Sequence, residues 1–251
     1  MVENFHGSRV KIRRAAKHLT ELNRWRRDFH LLSVDQDAER KNWVTLFFDP
    51  EALPAEDAAV MIGDVLHNLR SALDILWNDV ILECGGKVTK YSRFPIRDTA
   101  EELEGPLANL LKKQQIEIEV KNLLLGRIKP YKAGNHPLWA LDDLNIRDKH
   151  QLLIPVLKKM YIRGVSFEDE KGKELMLDGS LIADRPRNFP LQGVDGKSLR
   201  IKNKGYLTTG IFLGEGLPFT GQPVIRVLDR ITKEVLRTVK AFETLLFGET
   251  G

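Results

Sequence analysis

The sequence predicts an α+β fold that is mainly α-helical: a helical bundle with a small antiparallel β-sheet inserted before the C-terminal helix. Apolar residues recur at helical spacing over residues 55–84 and again over 224–247, which predicts two long helices with apolar faces. Between these helices, residues 151–222 are rich in β-branched residues and contain turn signals, as a run of strands does. A bundle with an inserted sheet accommodates all three features.

We expect one domain over residues 1–251. Its helical part covers residues 1–150, the β-rich insertion covers 151–222, and the C-terminal helix at 223–251 packs back on the bundle. In chain order, the elements predicted for the helical part are a helix at 8–30, a strand at 42–50, a helix at 55–84 bounded by Pro54 and by Gly85-Gly86, a loop at 94–96, one or two helices within 99–125, and a helix from Pro137 to His150.

The β-rich insertion contains two hairpin signals and a further strand. Lys171-Gly172 is the tip of the first predicted hairpin, and the segment from Val194 to Lys197 is the second signal. The run YLTTGIFL at 206–213 has the composition of a strand. In the helix that follows, Thr238 is the one polar residue on the predicted apolar face.

The composition excludes several classes of protein. Hydrophobic residues make up 42% of the chain and charged residues 29%, which excludes collagen-like, low-complexity and disordered sequences. Cys84 is the single cysteine, so there is no internal disulfide framework and no cysteine-cluster zinc site. Walker, HExxH and GxSxG motifs are missing, and no two histidines are spaced i, i+4. We therefore expect no cofactor and no metal.

The sequence also predicts a cytoplasmic protein with no membrane partner. No apolar run approaches the roughly 18 residues of a membrane span, and the first residues lack the apolar core of a secretory signal. A single cysteine fits a reducing compartment. The oligomeric state is left open, and a homo-oligomer is compatible with the sequence.

Positive charge is concentrated in two segments. Residues 1–30 carry eight Lys or Arg against three acidic residues, and residues 112–132 carry six against two. The two segments would attract phosphate if they met in space. Solvated helix faces on a slightly basic protein are the alternative.

An unusual polar stripe runs along the predicted helix at residues 62–79. Its polar face contains no Lys and no Glu, the residues that normally cover a solvated helix face. Short polar residues compete with the helix backbone for hydrogen bonds, so a role other than solvation favours them here. The polar residues are Asp64, His67, Asn68, Arg70, Ser71, Asp74 and Asn78.

Two explanations of this stripe remain open. In the first, it is a buried network between helices, with Arg70 and Asp74 paired at i, i+4 and His67 bridging. In the second, it is a site in which Arg70 holds an anionic group, His67 moves a proton and Asp74 orients the cation. Asp64 and Asn68 would then contact the ligand.

A second polar cluster lies in the run LDDLNIRDKHQLL at 141–153. Asp142, Asn145, Asp148 and Lys149 follow helical spacing, and His150 stands at a change from helix to strand. If the two helices are neighbours, this cluster faces His67, Arg70 and Asp74 across one cleft. The alternative is a solvated helix end, where basic residues complement the helix dipole.

The string GDVLHNLRSALD, from Gly63 to Asp74, resembles a set of bacterial and phage proteins to which no activity is attached. The later features of that set are also present: an FPI segment at Phe94 to Ile96, and an NxxDKH stretch from Asn145 to His150. The resemblance spans much of residues 60–155. It brings no established activity with it.

Relatives of this helix are similar to the HEPN class of helical proteins, many of which are ribonucleases with an Arg-x4–6-His motif. Counted from Arg70, that motif requires a histidine at 75, 76 or 77, and this chain has Ile75, Leu76 and Trp77. Arg13 with His18 and Arg24 with His30 match the spacing at about the chance frequency. The resemblance is one of fold, which does not by itself assign function.

Two functions are consistent with these observations. In the first, the polar cleft binds an anionic ligand, RNA or a nucleotide, and cleaves a phosphodiester without metal. His67 or His150 is then the acid or base, and Arg70 and Lys149 stabilise phosphate charge, oriented by Asp74 and Asp148. In the second, the chain is a non-catalytic structural or interaction protein, such as an accessory of a mobile element or defence system, and the stripe is a helix–helix network.

Overall fold

In the computed structural model of the chain, the residues described are 4–25, 32–36, 39, 43–48, 55–113, 115–151, 156–182, 187–192 and 198–248. The helices of this part are α1 (His6–Trp25), α2 (Ala55–Glu83), α3 (Ala100–Lys112), α4 (Ile118–Asn122), α5 (His136–Gln151) and α6 (Val224–Phe247). The strands are β1 (Leu32–Gln36), β2 (Trp43–Phe48), β3 (Val156–Asp169), β4 (Glu174–Ile182), β5 (Arg187–Gln192) and β6 (Leu199–Leu213). The predicted α+β, mainly α fold class is confirmed.

Helix α2 is the central element of the helical layer and packs against α1, α5 and α6. The predicted long helix at 55–84 is confirmed, and its apolar face is fully buried as the periodicity indicates. The buried positions of this face are Ile62, Val65, Leu66, Leu69, Ala72, Leu73, Leu76, Trp77, Val80 and Ile81. Burial of this much apolar surface is the main stabilising contribution of the helical layer.

Small residues let α1 lie close along α2. The Ser8 hydroxyl donates a 2.6 Å hydrogen bond to the carbonyl of Ala72, in the middle of α2. A Cβ at Gly7 would lie 2.9 Å from Cγ2 of Ile75, so a larger residue there would push the helices apart. The predicted helix at 8–30 is therefore an antiparallel neighbour of α2, and its described part ends at Trp25.

Helix α6 returns to the bundle, as predicted for the C-terminal helix. Phe242 of α6 contacts Trp77 of α2 and Phe94 edge-to-face, with ring centroids 6.4 Å and 6.3 Å apart, and Trp77 meets Phe94 at 6.0 Å. The polar Thr238 is accommodated on the buried face because its hydroxyl donates to the carbonyl of Glu234. Three elements thus meet at one aromatic cluster.

The strands form two antiparallel sheets of three strands, in the orders β1-β2-β5 and β4-β3-β6. The predicted strand at 42–50 is confirmed as β2, and the Lys171-Gly172 tip is confirmed between β3 and β4. The second hairpin signal, Val194 to Lys197, lies outside the described residues.

The division of the chain at residue 150 needs a correction. β1 and β2 belong to the part predicted as helical, yet β2 pairs with β5 of the insertion, with Val44 opposite Leu191. This pairing joins residues that are almost 150 positions apart, and no local sequence signal reports it. One sheet therefore contains strands from both halves of the chain.

Strand β6 connects the sheet layer to the helical core. Ile211 and Leu213 of β6 are buried in the same core as α2 and α6. The Leu213 amide donates to the carbonyl of Gln222, which brings the chain directly to the start of α6. In the described residues, no helix is both long and apolar enough to cross a membrane.

We expect Leu69→Ala to lower the free energy of unfolding by about 2–5 kcal/mol, because it leaves a cavity in a fully packed face. Leu69 is 0% exposed, whereas Leu82 on the same helix is 58% exposed. The matched change Leu82→Ala should cost less than about 0.5 kcal/mol. Urea unfolding of both variants measures this. A loss below about 1 kcal/mol for Leu69→Ala would contradict the packing of α2.

Candidate functional site

Arg70 is the centre of a polar network between α2 and α5. Its guanidinium is almost completely buried, and the residue is 8% exposed. Nε donates to Oδ1 of Asp142 at 2.6 Å, Nη1 to Oδ1 of Asp74 at 2.7 Å, and Nη2 to the carbonyl of Phe94 at 3.0 Å. Every guanidinium nitrogen therefore has a partner within the protein.

Asp74 extends this network to the segment that contains Phe94. The same Oδ1 that accepts from Arg70 also accepts from the Phe94 amide at 2.9 Å. Phe94 has its amide and its carbonyl bound in this way, although it lies in no helix or strand. Arg70 and Asp74 thus hold the FPI segment against α2, with the i, i+4 spacing that the sequence predicts.

One guanidinium faces two carboxylates in this network, so the group carries a net negative charge. The side chains of Asp74 and Asp142 are 31% and 26% exposed, against 10% for Arg70. Water therefore solvates the excess negative charge, while the cation is buried and fully hydrogen-bonded. This arrangement keeps the desolvation cost of the buried ion pairs tolerable.

A second cluster lies nearer the start of α2, about 10 Å along the helix axis from Arg70. Asp148 of α5 packs directly on Gly63, where an added Cβ would lie 2.6 Å from Oδ1 of Asp148. Asp64 and His67 are exposed beside it. The glycine of the GDxLHNLR string therefore leaves room for the Asp148 side chain, which a larger residue would displace.

The pKa of the Asp148 carboxyl is raised above its ordinary value. Partial burial is the largest cause, and the negative charge of Asp64 adds to it. His67 and Lys149 act in the opposite direction, because their positive charges favour the carboxylate. These four side chains share one electrostatic environment.

The structure does not bring the remaining predicted residues into one site. Asn68 is buried, and its Nδ2 donates to the carbonyl of Asp64 within the same helix. Asn145 is 4% exposed, and its Oδ1 has no hydrogen-bond partner among the described residues. His150 is a residue of α5, but its side chain is outside the described part of the structure.

The polar stripe is therefore divided into two groups. Arg70 and Asp74 belong to the buried network, whereas His67 belongs with Asp148 and Lys149 at the edge of the interface. No hydrogen bond joins His67 to Arg70 in the described residues. Asp142 belongs to the second polar cluster indicated by the sequence, but its contact with Arg70 was not predicted, because the two residues are 72 positions apart in the chain.

The chemistry available at the edge of the interface is proton transfer. An exposed imidazole beside a partly desolvated carboxylate can donate or accept a proton. Asp64 and Asp148 repel an approaching phosphate, and Arg70 is turned inward to its own partners. The described residues contain no group of three or more His, Cys, Asp or Glu side chains with the geometry of a metal site.

Comparison with protein-family models, with curated proteins and with solved structures finds no match to this chain. The geometry of Arg70 and of the Asp148 cluster is therefore the basis on which a function is assigned.

We expect Asp148→Asn to raise the stability of the protein at pH 7. The folded state raises the pKa of Asp148 above its ordinary 3.8, so the charged carboxyl opposes folding once the pH exceeds that raised pKa. As the pH falls below 3.8, the carboxyl is protonated in both states and the advantage of the variant disappears. Thermal melts at pH 7 and pH 3.5 measure the difference.

The matched control is Asp143→Asn on the same helix. Asp143 forms a 2.7 Å ion pair with Arg147, so its loss should lower stability slightly, within about 1 kcal/mol. A lower melting temperature for Asp148→Asn than for the parent at pH 7 would mean that its interactions with His67 and Lys149 outweigh burial.

Proposed function

We propose that this protein is a non-catalytic structural or interaction protein, in which Arg70 and its two aspartates are a helix–helix network. The observation that supports this most directly is the burial of Arg70 with all three guanidinium nitrogens hydrogen-bonded inside the protein. An arginine that binds substrate phosphate must present its donors to solvent. Here a ligand would first have to break two ion pairs.

The contacts of the network support a role in fixing the positions of neighbouring elements. Arg70 binds one carboxylate on its own helix, one on α5 and one carbonyl in the FPI segment. The two aspartates accept from different nitrogens of the same guanidinium, so both carboxylates are held by one cation. Arg70 and Asp74 are the two residues of the polar stripe that this network contains.

We expect Arg70→Met to lower the free energy of unfolding by about 3–5 kcal/mol, because it leaves two carboxylates without their cation. Arg147→Met is the matched control: Arg147 pairs with Asp143 on the exposed side of α5 and should cost within about 1 kcal/mol. Urea unfolding measures both variants.

A double-mutant cycle separates the pair from its surroundings. Combining Arg70→Met with Asp142→Asn should cost clearly less than the sum of the two single changes, since the second removes a carboxylate that the first has left unpaired. Strictly additive losses, or a stability equal to that of the parent, would contradict the proposed network.

A second candidate function is metal-independent cleavage of RNA, with His67 as the acid or base. The observation that favours it is the exposed His67 beside the partly desolvated Asp148. The resemblance to HEPN proteins makes RNA the substrate to test. This candidate leaves Arg70 in a structural role and uses only the edge of the α2–α5 interface.

If this candidate holds, the parent cleaves a single-stranded RNA in the presence of EDTA, and His67→Gln lowers the rate by about 10²-fold or more. His6→Gln, an exposed histidine at the start of α1, should leave the rate unchanged. Absence of any cleavage by the parent removes this candidate and leaves the non-catalytic proposal.

We also propose that the protein acts in the cytoplasm, as an accessory of a mobile element or defence system. Cys84 is a free thiol and the single cysteine, which fits a reducing compartment. The resemblance of the Gly63–Asp74 string to bacterial and phage proteins supports the biological context.

A further inference from the structure

A cluster of aromatic rings lies at the N-terminal end of α5, outside both polar clusters that the sequence indicates. The His136 ring is 5.3 Å from the Trp139 ring and 4.6 Å, edge-on, from the Phe219 ring. Phe219 belongs to the loop between β6 and α6 and has a positive φ of 61°. A bulky residue in this strained conformation is held there by its surroundings, which fixes the position of the ring.

Two cations lie over the faces of these rings. Nζ of Lys132 is 4.6 Å from the Trp139 ring centroid, and Cζ of Arg230 is 5.5 Å from the Phe219 ring centroid. Both cations are exposed, and neither forms an ion pair with a carboxylate of the described residues. Cation–π contacts orient the two positive charges but do not neutralise them, whereas a carboxylate would.

Two acidic side chains border this cluster, and each is hydrogen-bonded to a neighbouring side chain. Oδ1 of Asp98 accepts from the Trp139 indole nitrogen at 2.7 Å. Glu234 accepts from Asn135 at 3.3 Å and also pairs with Arg237.

The pKa of His136 is lowered from its ordinary value. Partial burial is the largest cause that lowers its pKa, and the positive charges of Arg230 and Lys132 lower it further. No carboxylate opposes them there. His136 is also the first residue of α5, so the positive end of the helix dipole lies at the same place.

We propose that Lys132, His136 and Arg230 form a binding site for a phosphate group, either free or carried by a nucleotide or single-stranded RNA. A phosphate would pair with the two cations, which form no ion pair among the described residues, and it accepts hydrogen bonds from the guanidinium, the ammonium and the imidazole. The site is separate from the Arg70 network and goes beyond the proposed function, to which it adds a ligand class.

The binding test uses three probes: inorganic phosphate, AMP and a 15-nucleotide single-stranded oligouridylate. Titration is followed by the fluorescence of the protein, to which Trp139 contributes, and by calorimetry. We expect the parent to bind, and Lys132→Gln and Arg230→Gln each to weaken binding by about tenfold or more. Lys240→Gln, an exposed cation further along α6, is the matched control and should stay within about twofold.

The three probes also distinguish the source of the phosphate. If free phosphate is the ligand, it binds as tightly per site as the oligonucleotide does. If RNA is the ligand, the oligonucleotide binds more tightly, and its affinity falls steeply with salt as counterions are released. Absence of binding for all three probes, or binding that survives the Lys132→Gln/Arg230→Gln double variant, would overturn the proposal.

A second measurement does not depend on these variants. The His136 resonance, assigned with His136→Gln, is titrated by NMR with and without phosphate in the parent. We expect phosphate to raise the pKa of His136, since a nearby anion favours the imidazolium. An unchanged pKa at saturating phosphate would contradict the site. Failure here leaves the Arg70 proposal untouched, because that proposal is tested by unfolding rather than by binding.

Discussion

The buried guanidinium of Arg70 is the interaction on which the helical layer depends. It fixes α5 through Asp142 and the FPI segment through Asp74 and the Phe94 carbonyl. Phe94 in turn contacts Trp77 and Phe242, so the position of α6 also depends on this segment. A cation at this depth is stable only while its carboxylates stay in place, which couples the three elements.

Helix α5 has different electrostatic surroundings at its two ends. At its C-terminal end, Asp148 faces Asp64, and burial and negative charge together favour the protonated carboxyl. At its N-terminal end, His136 lies between Lys132 and Arg230, which favour the neutral imidazole. An anionic ligand is therefore better accommodated at the N-terminal end of α5. The polar cluster indicated by the sequence lies at the other, acidic end.

Features with a local signal could be predicted from the sequence, and features made by distant contacts could not. Periodicity predicts α2 and α6, and the i, i+4 spacing predicts the pairing of Arg70 with Asp74. The Arg70–Asp142 pair and the β2–β5 pairing depend on the folded topology, which no single segment encodes. The same is true of the phosphate site, where Phe219 meets His136 only because the loop before α6 folds back.

Amide hydrogen exchange at Phe94 tests the central role of the Arg70 network most directly. This amide lies outside the helices and strands, and its hydrogen-bond acceptor is Oδ1 of Asp74, which Arg70 holds in place. The account predicts that the Phe94 amide exchanges as slowly as the core amides of α2, since it opens only when the helical layer opens. Exchange at the rate of an exposed loop amide would contradict it.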